Sequence, residues 1–111
     1  MDTGALVVYM TAPDADHAAR IGRLLVERRL AACVNVLGPV RSIYAWAGQV
    51  HDEGETAFVA KTWADRLDEL TQAVRRNHPY DVPCVVALPV AGGSAPFLDW
   101  IREQTRPPQT A

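Results

Sequence analysis

A chain of 111 residues, 49% hydrophobic and 22% charged, describes a single domain, 1–111, able to hide roughly two thirds of its surface. A formal charge of −2, with eleven scattered Lys and Arg, argues against nucleic acid as a partner, because phosphate neutralisation needs a basic face. Residues 1–10 hold only a short apolar run with no basic stretch ahead of it, so no membrane partner or signal peptide is expected and the chain reads as cytoplasmic.

In chain order, residues 5–10 form an unbroken apolar run of strand length, covered on both faces and therefore central. Thr11-Ala-Pro-Asp14 then resembles a capping box with proline in the first turn, and Ala18, Ile21 and Leu25 recur at helical spacing to about Arg29. Gly22 reads as the point where this helix approaches the sheet. A second strand starts near Ala32 and meets Gly38-Pro39, which removes a donor and marks an edge.

Residues 42–62 are the centre of the design. They read as two long strands folded back on each other, with Gly48 supplying the positive φ of a bulged turn. With strands over 33–46 and 49–62, the hairpin extends roughly 45 Å. A domain of this size has a radius of gyration of about 13 Å and a diameter of about 35 Å. The hairpin should therefore overhang its own globule and need a second copy of the chain to cover Tyr44, Trp46 and Val50.

Thr62-Trp-Ala-Asp65 repeats the capping pattern, and Trp63, Leu67, Leu70 and Val74 define a second helix that must stop at Asn77-His78-Pro79. Residues 82–90 form a last strand whose two prolines place it on an edge. Ser94 can cap a third helix carrying Phe97, Leu98, Trp100 and Ile101, and a frayed tail is expected from about 104 to 111. The order βαββαβ plus a helix fits an α+β, ferredoxin-like sandwich with two helices on one sheet face. The other face is left bare, which again points to a homo-oligomer.

Chemistry is sparse. There is no CxxC, HxxxH, GxSxG or phosphate loop, so neither a standard metal motif nor a nucleophile is indicated, and the chain reads as not an enzyme. Cys33 and Cys84 are far apart and read as free thiols, Cys33 being able to reach a cleft. His78, held by Pro79 at a helix end, is either a C-terminal cap or a ligand. Glu55 and Lys61 share one side of a central strand, as a subunit salt bridge or as part of an anion or metal site. Trp46, Tyr80 and Trp100 suit interfaces and ligand clefts equally.

Several ordered motifs carry a resemblance: Leu30-Ala-Ala-Cys-Val-Asn35, Ser42-Ile-Tyr-x-Trp-x-Gly-x-Val50, Lys61-Thr62, His78-Pro-Tyr-x-x-Pro83, Ala87-Leu-Pro89 and Leu98-Asp-Trp-Ile101. Together they resemble the CutA family of divalent-cation tolerance proteins over nearly the whole chain. That resemblance implies a tight homotrimer shaped like the nitrogen-regulation signalling trimers, and a role in copper and heavy-metal response. It implies inter-subunit clefts lined by Cys33, Asn35, Trp46, Glu55, Lys61, His78, Tyr80 and Trp100. Where some members carry a first-strand cysteine this chain has Met10, which leaves His78 with Cys33 or Glu55 as ligands for a weakly held Cu²⁺ or another divalent cation. Two alternatives stand beside it. One is a regulatory trimer taking a small anionic metabolite on Lys61, and the other is a stable scaffold that anchors another protein.

Overall fold

The computed structural model describes residues 2–108 and orders them as β1 (Ala5–Ala12), α1 (Ala15–Glu27), β2 (Cys33–Trp46), β3 (Gln49–Trp63), a 3₁₀ turn (Ala64–Arg66), α2 (Leu67–Asn77), β4 (Val85–Pro89) and α3 (Ala95–Thr105). One antiparallel sheet runs in the order β2-β3-β1-β4, so β1 and β3 are central and the proline-bearing strands are edges, as their sequences require. The βαββαβ sandwich with an added helix is the expected architecture.

Strand alternation decides the two faces. Val8, Met10 and Ala12 of β1 and Phe58 and Ala60 of β3 form one buried cluster with Ala18, Ile21 and Leu25 of α1 and Leu70, Ala73 and Val74 of α2. Burial of each large side chain there stabilises the fold by about 1.5–3 kcal/mol. Gly22 sits where α1 presses on β2, and a Cβ at that position would come 2.8 Å from Val34 Cγ1. The opposite face carries Val7, Tyr9, Val59, Lys61, Val86 and Leu88. Among the described residues a helix covers one end of it, α3, whose Ile101 packs on Ala5 and Ala32 with Leu98, Trp63 and Val90 around them.

Several local expectations are corrected. The first cap is Asp14 and not Thr11: its carboxylate accepts from His17 N at 2.8 Å, while Thr11 stays in β1 opposite Ala57. Thr62 does not cap α2 either, because it is buried in β3 and its hydroxyl donates to Leu30 O at 2.6 Å. The hairpin turn is a two-residue loop with both Ala47 (φ 53°) and Gly48 (φ 77°) left-handed, and Trp46 pairs directly with Gln49. The bulge lies instead between Val36 and Gly38, where glycine takes φ 121°. β4 is shorter than 82–90 because it pairs only with Leu6 to Met10 of β1. α3 runs through Gln104 to Thr105, whose buried hydroxyl donates to Ile101 O at 2.7 Å, so helix occupies the start of the expected tail; residues 109–111 of that tail lie outside the described residues.

The overhang is present. β1 pairs with β3 only over residues 56–63, and beyond that β2 and β3 continue as a two-stranded arm. The longest dimension of the molecule, 47 Å against 32 and 23 Å, and the radius of gyration of 14.7 Å both exceed those of an equant domain this size.

Candidate functional site

Two clusters of polar and aromatic side chains stand on the open sheet face. At the α3 end, Lys61 Nζ donates to Asn35 Oδ1 at 2.9 Å and lies 5.6 Å from the centre of the Phe97 ring. Phe97 in turn packs on Trp100 at 5.4 Å, and Cys33 pairs with Lys61 across the β2–β3 ladder. Among the described residues no carboxylate reaches Lys61, so its charge faces only an amide and an aromatic ring. Burial pushes the Cys33 thiol pKa up against the opposing pull of Lys61, which keeps it protonated and a weak ligand at neutral pH.

At the other end, where the arm begins, Tyr80 OH donates to Glu55 Oε2 at 3.0 Å. Burial first, and then this bond to a carboxylate, push the Tyr80 phenol up to about 12. Burial also raises the Cys84 thiol, reinforced by the Glu55 charge. His78 packs against Tyr80 with ring centres 4.7 Å apart, and both of its nitrogens are engaged by main chain. Nε2–H donates to Thr11 O at 2.8 Å, and Nδ1 accepts from Tyr80 N at 3.1 Å. The imidazole is thus a buried clasp joining β1 to the 79–80 turn, while Asn77 closes α2 by donating to Ala73 O at 2.7 Å.

Of the residues singled out in the sequence, Lys61, Asn35, Cys33 and Trp100 gather at one end, and Glu55, Tyr80 and His78 at the other. Trp46 belongs to neither, being 55% exposed beside the hairpin turn. Glu55 and Lys61 share a face but do not pair, since six residues of strand separate them by about 20 Å. For the same reason Cys33, opposite Lys61, cannot share an ion with Glu55 inside one protomer. Among the described residues no three His, Cys, Asp or Glu side chains gather to hold a metal. The set His78, Cys33 and Glu55 therefore does not fit a divalent ion within a single chain. Phe97, expected only in the apolar set of the third helix, joins the Lys61 cluster; its i,i+3 spacing to Trp100 is the signal for it.

Residues 6–104 match the family model described as CutA1 divalent ion tolerance protein. The chain belongs to that family. It is 44% identical over 99 residues to the divalent-cation tolerance protein CutA of Thermus thermophilus, covering 89% of this chain and 96% of that one. A solved structure of the Thermus protein superposes with a TM-score of 0.90 at 43% identity, covering 92% and 99% of the two chains. The protein named chloroplastic CutA in Arabidopsis thaliana is 40% identical over 102 residues, 92% of this chain, but the chain spans only 56% of its length. The periplasmic divalent cation tolerance protein CutA of Archaeoglobus fulgidus superposes with a TM-score of 0.88 at 37% identity, covering 92% and 99%.

These CutA relatives overturn the reading of the chain as cytoplasmic, since one is named chloroplastic and another periplasmic. The matched region is the folded domain itself, and relatives that share it are named for different compartments, so the fold does not imply one. Among the described residues no helix is long and apolar enough to cross a membrane.

Proposed function

We propose that the chain acts as a homotrimeric divalent-cation tolerance protein, a binding protein and not an enzyme, whose ligand clefts are completed between protomers. One observation carries this reading: an open sheet face exposing Val86 and Leu88 adjoins an arm exposing Ile43, Trp46 and Val50, the last of them by 77%. Identical chains arranged head to tail around a closed ring cover such unlike surfaces with one another, because each arm meets its neighbour's face. The same arrangement supplies what a single protomer lacks, a second set of polar groups beside each cluster. Cu²⁺ or another divalent cation is then held weakly at these clefts, with Glu55 the available ligand, the protonated Cys33 a weaker one, and His78 the least available, its nitrogens being occupied.

A second reading is favoured by Lys61. An ammonium with no carboxylate partner among the described residues, beside Phe97 and the Trp100 that packs on it, suits a small anionic metabolite in the same cleft. Sedimentation at micromolar concentration, followed by titration calorimetry with Cu²⁺ and with a panel of carboxylates, tests both. A trimer mass and Cu²⁺ heats that vanish in Glu55→Gln support the first reading, and anion heats that vanish in Lys61→Gln support the second. A well-folded monomer would overturn the assembly and the clefts with it.

A further inference from the structure

On the helical side of the sheet, away from both clusters, a cleft of about 340 Å³ lies between the end of α1 and α2, lined by Arg28, Leu30, Glu69, Gln72, Ala73 and Arg76. Its floor is apolar and buried, formed by Leu30 and Ala73. Its rim holds two guanidinium groups that pair with no carboxylate among the described residues. Two cations nearby are already committed: Arg29 donates to Glu103 O at 2.6 Å, and the buried Arg66 holds Glu69 at 3.3 Å, cancelling the one negative charge of the lining. The last carbonyls of α1 would repel an anion, but Leu24 O, Leu25 O and Val26 O accept from Arg28 N, Leu30 N and Arg29 N. The cleft is therefore a local positive site on a chain whose formal charge is −2.

We propose that this cleft binds a small phosphate-bearing molecule, held between the Arg28 and Arg76 forks over the Leu30–Ala73 floor. Guanidinium groups match phosphate oxygens two at a time, and the Gln72 amide stands in the same wall as a further donor. The volume is at the small end of ligand pockets. Asp68 and Glu27 adjoin the lining residues Glu69 and Arg28 in the chain, and their charges oppose an extended polyanion such as an acidic peptide more than a compact one. This site is independent of the inter-subunit clefts and does not require the trimer.

Calorimetric titration of the intact protein with inorganic pyrophosphate, against sodium chloride of equal ionic strength, tests it. Saturable binding is expected, weakened at least about tenfold in the double variant Arg28→Gln/Arg76→Gln and unchanged in Arg41→Gln on the arm. Heats that never saturate would overturn the proposal as mere screening. Loss of binding in Lys61→Gln with Arg28→Gln/Arg76→Gln unaffected would overturn it by moving the anion to the open face. Binding of an acidic peptide where pyrophosphate is silent would overturn the ligand class.

Discussion

The inner half of β3, residues 56–63, and its outer half, residues 49–55, are one continuous strand in two surroundings. The inner half has β1 on one side, β2 on the other and two helices beneath, so Phe58, Ala60 and Thr62 are fully buried. The outer half pairs with β2 alone and leaves Val50 in solvent. The inner half is hydrogen-bonded to β1 as well as β2, but a second ladder alone buries no side chain. Layering does: a strand becomes core only where another layer removes its side chains from water. The inner half accordingly stabilises the protomer, and the outer half is free to bind something else.

The strongest way to break this contrast is a pair of truncations. Phe58→Ala should cost about 3–5 kcal/mol in urea unfolding, a large share of a typical domain's stability. Val50→Ser should change protomer stability by no more than about 0.5 kcal/mol and act on self-association, read by sedimentation velocity. Equal losses from the two would mean that the arm belongs to the core.

The junction between the halves offers a sharper probe. Glu55 marks it, and its bond to Tyr80 helps hold the phenol near 12. A phenol pKa raised on folding contributes stability that is fully present below about 10 and is lost as pH rises through about 12. Tyrosinate absorbance should show one phenol ionising at about 12, and Glu55→Gln should bring it part of the way down, since burial is the larger cause. No shift in that variant would detach Tyr80 from Glu55.

The smallest effect belongs to the arm's own tip. Ala47 occupies a left-handed conformation that costs a non-glycine residue energy, and Ala47→Asn should stabilise the hairpin by about 0.5 kcal/mol in thermal unfolding. A loss of stability there would show that the Ala47 methyl is needed in a contact.

Much of the fold was legible before any coordinates. Hydrophobic periodicity and three prolines, Pro39 in one expected strand and Pro83 and Pro89 in the other, place the strands and name their edges, because a residue without an N–H cannot serve an inner ladder. The hairpin's limits follow from residue count, and its overhang from strand rise against domain diameter. Ser94 at the start of α3 and Asn77 at the end of α2 stand where expected, but the caps of the first two helices were not legible. Thr11 and Thr62 look like helix starts in sequence, and each was drawn into a strand because ladder pairing and burial outweighed a local hydroxyl bond. The candidate site was legible as a set of residues and not as a geometry. Which of Asn35, Lys61, Glu55, His78, Tyr80 and Trp100 meet depends on strand register and on where α3 comes to rest.

By itself, the amino-acid order determined the alternation of strands and helices, the edges of the sheet, and the presence of an arm too long for its own domain. These follow from spacing and from the chemistry of proline, which act over a few residues. Only the tertiary structure decided that Lys61 meets Asn35 and Phe97, that His78 spends both nitrogens on the main chain, and that Arg28 and Arg76 share one cleft. Those outcomes depend on contacts between residues distant in the chain, and no local pattern specifies which distant partners will be brought within reach.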